Sequence, residues 1–206
     1  MGKVWSILLV GFLSMTIAEV FAGSSTLWFL DVWGLLITFP LYTFHLLFYL
    51  NVAKRTQTFS VWHLYLWGAL FGLYEGPITK VLWSGYPGSA EPIGGALILG
   101  IAMFEFLTLC LFWHPVMAFV LPILVYEYFC YLNGSIPLDQ SHLNAFINDK
   151  RNTRFIWLIF TIASIGLTIN SQFNVMISLT AALGSFLLIY IQTLELFFFT
   201  PPSSKK

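Results

Sequence analysis

Long apolar runs, each close to the length needed to cross a lipid bilayer, occupy most of this chain. A helix needs about 20 apolar residues to span roughly 30 Å of hydrocarbon. Charged residues make up only 9% of the chain and hydrophobic residues 58%, which leaves too few polar groups to cover a water-soluble fold of this size. The sequence therefore predicts an all-α fold, a polytopic helical membrane bundle. Its spans are placed near 4–22, 28–50, 61–83, 94–112, 116–132, 155–169 and 175–199.

The number of spans depends on how the region from 94 to 132 is divided. Trp113, His114 and Pro115 separate two of the runs, and proline suits the first turn of a helix. Pro115 is therefore interpreted as the start of a new span after a tight hairpin. This gives about seven transmembrane helices in a single integral membrane domain covering 1–206, with six helices as the alternative.

The first run allows two interpretations. Lys3 precedes an apolar core, and Ala22 supplies a small residue at the end of that core, as in a cleaved signal peptide. Glu19 argues against cleavage, because cleavage regions are usually neutral. A retained first span is the preferred interpretation, and cleavage is the alternative.

Basic residues in the polar breaks indicate the orientation. With seven spans, Lys3, Lys54 and Arg55 share one side of the membrane. The other side holds the larger basic set, Lys80, Lys150, Arg151, Arg154, Lys205 and Lys206. The positive-inside rule then places the N-terminus outside and the C-terminus in the cytoplasm of a cell membrane. If one run between 61 and 132 does not cross, every basic cluster would face the cytoplasm.

Composition also restricts the partners. The formal net charge is zero, and the sequence has no stretch of basic residues of the kind that binds a phosphate backbone. Both features argue against nucleic acid as a partner. Cys110 and Cys130 lie inside predicted spans, so a disulfide framework is not expected. Membrane lipids are the expected partners, and the sequence indicates no particular cofactor. The intramembrane protease motifs Gly-x-Ser-Gly and Gly-x-Gly-Asp are absent from the sequence.

A row of glycines lines one face of the third run. Gly68, Gly72 and Gly76 follow one another at intervals of four, the small-residue pattern that lets a second helix pack closely. The pattern serves contacts within a chain and between chains alike. A homo-oligomer or a larger membrane complex is therefore compatible with it.

Carboxylates inside the apolar runs are the main candidates for function. Placing a charge in hydrocarbon costs about 3 kcal/mol on insertion scales, so such a residue is a functional candidate by default. Four of them are assigned to an ion or substrate pathway: Glu19, Glu75, Glu105 and Glu127. The structural alternative is that these carboxylates only bond neighbouring helices and fix their packing.

Three prolines, each near an ionisable residue, are predicted to break their helices: Pro40, Pro77 and Pro122. Proline removes a backbone donor and frees a carbonyl. Pro122, for example, lies shortly before Glu127. Transporters build binding sites near the membrane midplane from interrupted helices of this kind.

Three histidines form a second group of candidates. When ionisable residues are sorted by depth in their spans, the histidines fall on one side together with Glu105, away from the other three pathway carboxylates. The histidines are His45, His63 and His114. At similar depth they are candidates to ligate zinc, iron or copper, or to carry protons. Interfacial histidines are the alternative, and His142 in the long loop is expected to be solvated.

Three functions follow from these residues. The leading hypothesis is a transporter or channel for an ion, a proton or a small solute, with Glu75 and Glu127 as pathway carboxylates. The second is a membrane-embedded enzyme that acts on a lipid or quinone-like substrate through the histidines, with or without metal. The third is a structural subunit or assembly factor of a membrane complex.

Overall fold

The computed structural model describes residues 3–21, 23–79, 81–85, 91–92, 97–148 and 158, and these residues are mainly helical. The predicted span 175–199 lies outside the described residues, as does 155–169 apart from Leu158. Lys80 and the basic residues from 150 onward also lie outside them.

Two helices begin the chain. Helix α1, Lys3–Met15, continues without interruption into a π-helical turn, Thr16–Val20. A short 3-10 turn at Trp28–Leu30 follows. A second π-helical turn, Gly34–Thr38, then leads directly into helix α2, Phe39–Thr56.

Helix α3, Val61–Ile78, starts at a capped end and stops at a proline. The side chain of Ser60 accepts a hydrogen bond from the backbone N–H of Trp62, which satisfies one of the free donors of the first turn. The helix ends one residue after Pro77, where the backbone N–H and the hydroxyl of Thr79 both donate to the carbonyl of Glu75, at 3.0 and 3.2 Å. Pro77, where a break was predicted, lies inside the last turn of this helix.

Short elements connect α3 to the next long helix. Helix α4 is a single turn, Val81–Ser84. Strand β1, Leu97–Ile98, then pairs antiparallel with strand β2, Ile101–Ala102, in a small hairpin. The predicted span 94–112 thus includes a hairpin at its start and becomes helical only after it.

One continuous helix covers Met103–Leu132, hereafter the long helix. It consists of α5, Met103–Glu105, a π-helical segment, Phe106–Val120, and α6, Leu121–Leu132. The predicted hairpin at Pro115 was wrong, because that proline lies inside the helix and is buried. The seven-span count depended on this hairpin and is not confirmed.

Prolines accompany the π-helical segments, and this explains why the chain does not turn. A proline lacks a backbone N–H and collides with the carbonyl four residues earlier, and membrane helices absorb this by local π adjustments. The π-helical turn Gly34–Thr38 lies immediately before Phe39 and Pro40, and Phe106–Val120 lies just before Pro122. The predicted breaks at Pro40 and Pro122 were wrong for this reason, since each helix continues through its proline.

After the long helix the chain turns back toward the bundle. A 3-10 turn at Leu138–Gln140 leads into helix α7, His142–Asn148. Helix α7 contacts both α6 and α3. Helix α7 therefore packs on the helices instead of forming part of a free loop.

Helix α3 and the π-helical segment of the long helix form the most extensive contact among the described elements. The glycine row lies at this contact. A Cβ atom at Gly68 would collide with the backbone of Pro115, and one at Gly72 would come within 2.9 Å of the Cα of Cys110. The third glycine, Gly76, faces the side chain of Leu82. Two glycines thus allow the helix backbones to touch.

Aromatic and aliphatic side chains from α1, α2, α3 and the long helix fill one core. Its largest members are fully or almost fully buried: Trp28, Tyr42, Leu46, Tyr49, Leu64, Phe71, Phe119 and Ile123. A polar bond also crosses this core, since the hydroxyl of Ser14 donates to the carbonyl of Ala118 at 3.0 Å. The bond joins α1 to the long helix.

Two described helices are long and apolar enough to cross a membrane, Gly34–Thr56 and Met103–Leu132. A third apolar helix, Val4–Val20, is shorter. The long helix has 30 residues. At 1.5 Å per residue it extends about 45 Å, so it must tilt or reach beyond roughly 30 Å of hydrocarbon.

The continuity of the long helix can be tested by labelling. In a background with Cys110 and Cys130 replaced by alanine, Val116→Cys is expected to resist a membrane-impermeant maleimide in intact vesicles. The reason is that residue 116 is 3% exposed and lies within the helix. Ser135→Cys, beyond the end of α6, is the accessible control. Labelling at 116 would instead indicate an exposed turn at Pro115.

The close contact at the glycine row predicts a stability change. Gly68→Ala is expected to destabilise the protein by about 1–3 kcal/mol, because the new methyl group forces α3 away from the backbone of Pro115. Thermal unfolding in detergent measures the change. Leu66→Phe adds volume to the exposed face of the same helix and is expected to have little effect. Equal effects of the two substitutions would contradict the packing argument.

Candidate functional site

A tyrosine and a glutamate meet where α1 and α2 approach each other. Glu19 lies in the π-helical turn that ends α1, and Tyr42 lies one turn into α2. The Tyr42 hydroxyl donates to Glu19 Oε1 at 2.6 Å, and the hydroxyl of Ser24 donates to Oε2 at 2.6 Å. Both oxygens of this carboxylate are therefore hydrogen bonded, one by a buried phenol and the other by a hydroxyl near the surface.

A second carboxylate pairs with a histidine between α3 and the long helix. Glu75 Oε2 lies 3.4 Å from Nε2 of His114, and the His114 side chain is only 3% exposed. The other ring nitrogen, Nδ1, lies 3.0 Å from the backbone carbonyl of Leu109. Because a carbonyl only accepts, Nδ1 carries hydrogen. A hydrogen bond between Nε2 and Glu75 then requires one further proton, held either by the ring or by the carboxyl group.

These two contacts belong to a single site, hereafter the carboxylate cluster: Glu19, Tyr42, Glu75 and His114. The Tyr42 ring stacks on the His114 ring, with centroids 6.4 Å apart and planes inclined by 20°. Glu75 lies within electrostatic range of both Glu19 and Tyr42. Two acidic side chains thus share one partly buried volume with one imidazole, an arrangement that favours binding of a proton or another small cation.

Backbone contacts hold the carboxylate cluster in place. The indole N–H of Trp113 donates to the carbonyl of Ala18 at 2.9 Å, which joins the residues directly before His114 and Glu19. On the opposite side of His114, a Cβ on Gly72 would lie 3.2 Å from Nδ1. The absence of a side chain at Gly72 therefore lets the ring fit between the helices.

Aromatic side chains surround the histidine and limit access to it. Phe71 meets His114 edge to face at a centroid distance of 5.1 Å, and His45 lies on another side of the same phenyl ring at 4.9 Å. The Nδ1 atom of His45 contacts the carbonyl of Leu41 at 2.7 Å. Phe71 thus lies between His45 and His114.

The structure does not bring the three candidate metal ligands together. His63 is exposed on α3, and Phe71 lies between the other two histidines, His45 and His114. Within the described ranges, no three His, Cys, Asp or Glu side chains converge on a point that would hold a metal ion.

The remaining two pathway candidates lie elsewhere. Glu105 is buried at the start of the long helix, with Oε1 close to Gly85. Glu127 is buried in α6, where Oε1 lies 2.7 Å from Nδ1 of His142 and Oε2 accepts from the backbone N–H of Leu143 at 3.0 Å. The expectation that His142 is solvated was therefore wrong, since its side chain is almost completely buried.

The predicted sorting by depth was also wrong for one pair. Glu75 and His114 were expected on opposite sides, because His114 was taken to lie at the end of a span. In the structure His114 lies well inside the long helix and faces Glu75.

Sequence reasoning missed Tyr42, Ser24 and Trp113 as parts of the site. A tyrosine or tryptophan in a membrane helix is common, and nothing in the spacing along the chain connects Tyr42 to Glu19. Their contact depends on how α1 and α2 pack, which local patterns do not report.

The fold and the carboxylate cluster define a helical membrane protein with ionisable side chains buried between its helices. The chain belongs to a family described as an uncharacterized membrane protein family, which matches residues 8–197. It is also similar to an uncharacterized protein of Archaeoglobus fulgidus, with 37% identity over 164 residues that cover 80% of this chain. The chain spans 50% of the length of that relative. No solved structure matches the chain.

The bond between Tyr42 and Glu19 predicts a measurable coupling. In a double-mutant cycle of Tyr42→Phe and Glu19→Gln, the coupling in the free energy of unfolding is expected to be about 1–2 kcal/mol, because the bond is short and its phenol is buried. Denaturation in mixed detergent micelles measures it. A cycle of Tyr42→Phe with Asp139→Asn, an exposed carboxylate, is the control. Additive effects in the first cycle would mean that the bond does not contribute.

Proposed function

We propose that the protein is a transporter that moves protons across the membrane through the carboxylate cluster, alone or coupled to another solute. The observation that supports this most directly is the pair Glu75 and His114. Nδ1 of His114 already donates to a carbonyl, so a hydrogen bond between Nε2 and Glu75 Oε2, which lie 3.4 Å apart, requires one additional proton. A pair that holds one exchangeable proton inside a lipid-embedded bundle has the chemistry of a proton relay.

The other members of the carboxylate cluster supply a route from the surface to this pair. Ser24 is exposed and bonds Glu19, and Glu19 bonds the buried Tyr42. The Tyr42 ring in turn lies against His114. Hydroxyl and carboxylate groups can each accept one proton and release another, so the hydrogen bonds from Ser24 through Glu19 to the Tyr42 hydroxyl can pass protons inward. The stacked rings of Tyr42 and His114 transfer no proton, so the last step to the Glu75–His114 pair requires a bridging water.

Apolar packing beyond the carboxylate cluster provides the barrier that a transporter needs. Leu46, Leu64 and Phe119 are each at most 2% exposed and lie in the same core as Tyr42. Water does not fill a close-packed apolar core of this kind, so protons cannot cross it by simple diffusion along a water column. Net movement then requires the protonated pair to change its access from one side to the other.

Proton flux into proteoliposomes tests the proposal. A potassium diffusion potential drives the protons, and a trapped pH-sensitive dye reports their entry. Glu75→Gln keeps the shape of the side chain but cannot release a proton, so the flux is expected to fall by about 100-fold. Asp139→Asn neutralises an exposed carboxylate outside the carboxylate cluster and is expected to leave the flux unchanged.

Two outcomes would contradict the proposal. Full flux in Glu75→Gln would remove the pair from the pathway. Absence of flux in the wild-type protein, together with its isolation in a larger membrane complex, would favour the alternative of a structural subunit. In that case the buried polar groups serve helix packing.

A further inference from the structure

A second carboxylate and histidine meet where α7 packs against α6. Glu127 accepts two hydrogen bonds, from Nδ1 of His142 at 2.7 Å and from the backbone N–H of Leu143 at 3.0 Å. The side chains of Glu127 and His142 are 5% and 1% exposed. Because each carboxylate oxygen accepts a hydrogen bond from a separate donor, the geometry suits an ionised carboxylate.

The bond to Glu127 determines which nitrogen of His142 is basic. Nδ1 donates to the carboxylate, so in the neutral ring the lone pair lies on Nε2. Nε2 is fully buried, and no described residue forms a hydrogen bond with it. Buried polar atoms are normally satisfied, so a buried, unbonded ring nitrogen next to a carboxylate is an acceptor for an incoming donor. A proton needs only this one lone pair to bind, whereas a metal ion needs several ligands.

The surroundings of the pair would favour the positive charge that such a proton brings. His142 lies against two aromatic rings, Phe59 at a centroid distance of 5.4 Å and Tyr49 at 6.3 Å. Among the described residues, the titratable groups within electrostatic range of Glu127 include two phenols and a thiol: Tyr49 on α2, and Tyr126 and Cys130 on α6. Such groups are uncharged near neutral pH in water. The charge of Glu127 therefore remains available to an imidazolium at His142.

This second pair resembles the pair of Glu75 and His114 in having a tyrosine of α2 beside its histidine. Helix α2 presents Tyr42 beside His114 and, two turns later, Tyr49 beside His142. The two tyrosines are about 10 Å apart along the helix axis. The fully buried Leu46 lies between them.

We infer that Glu127 and His142 form a second proton-binding site, in series with the carboxylate cluster and separated from it by the apolar core around Leu46. Proton uptake forms one N–H bond at Nε2 of His142 and converts the neutral ring to an imidazolium paired with the Glu127 carboxylate. The role of this site in transport rests on the proposed function above, whereas its ability to bind a proton does not.

Proton binding is tested without any transport assay by nitrogen NMR of the full chain in lipid nanodiscs. The chain has 4 histidines, so single His→Gln variants assign each labelled ring. On acidification, the His142 ring is expected to gain a proton at Nε2 while Nδ1–H remains hydrogen bonded. In Glu127→Gln the doubly protonated ring is expected to be lost over the same pH range, because the charge that stabilises it is gone.

A wild-type His142 ring that keeps one proton throughout the acidification would overturn the inference. So would a ring that protonates identically in wild type and Glu127→Gln. The wild-type titration does not use Glu127→Gln, so it decides the matter even if that variant does not fold.

The series arrangement is tested by flux in the same proteoliposomes. His142→Gln is expected to lower proton flux as strongly as Glu75→Gln, while His63→Gln, at an exposed position on α3, leaves it unchanged. Normal flux in His142→Gln beside blocked flux in Glu75→Gln would overturn the series arrangement and leave the proposed function intact. No flux in the wild-type protein would overturn the proposed function, and the NMR titration would then decide proton binding alone.

Discussion

The contact between α3 and the long helix determines where the buried charges meet. Gly68 and Gly72 have no side chains, so the backbone of α3 approaches Pro115 and Cys110 directly. At this separation a glutamate that follows on α3 can reach a histidine on the long helix. A wider helix spacing would leave Glu75 without His114, and a carboxylate without a partner in hydrocarbon costs several kcal/mol. The glycine contact therefore controls the electrostatics of the site as well as the packing.

Lipid makes pairing of ionisable groups a condition of the fold. The described carboxylates of α1, α3 and α6 meet this condition in different ways: Glu19 with two hydroxyl groups, and Glu75 and Glu127 each with a histidine. Hydroxyl partners stabilise a carboxylate by donating hydrogen bonds, and they remain neutral. A histidine can carry the proton itself, so these pairs can change their protonation state while remaining in contact. This difference is why the proposed proton carriers are the histidine pairs.

The membrane class and the presence of carboxylates inside apolar helices were predictable from the sequence, but the side chains that pair with those carboxylates were not. Apolar runs and the glycine spacing depend on neighbouring positions in the chain, and local patterns report them well. The predicted hairpin at Pro115 was wrong because proline is compatible both with the start of a helix and, in a membrane, with a π-helical segment inside a helix. The predicted hairpin placed His114 at the end of a span and so separated it from Glu75. The burial of His142 was not predictable from its position in a loop, because it depends on the packing of α7 against helices that are distant in the sequence.

The π-helical segment of the long helix connects these observations. A π-helix has wider turns than an α-helix and is frequent at functional sites. Here it spans Phe106–Val120 and includes His114, while the α-helical turns after it carry Glu127. One helix thus contributes a member to each histidine–carboxylate pair, and its irregular half is the half that contacts the glycine row. A shift between π- and α-helical hydrogen bonding in this segment would rotate His114 relative to Glu75. A rotation of this kind would change access to the Glu75–His114 pair, as the proposed transport requires.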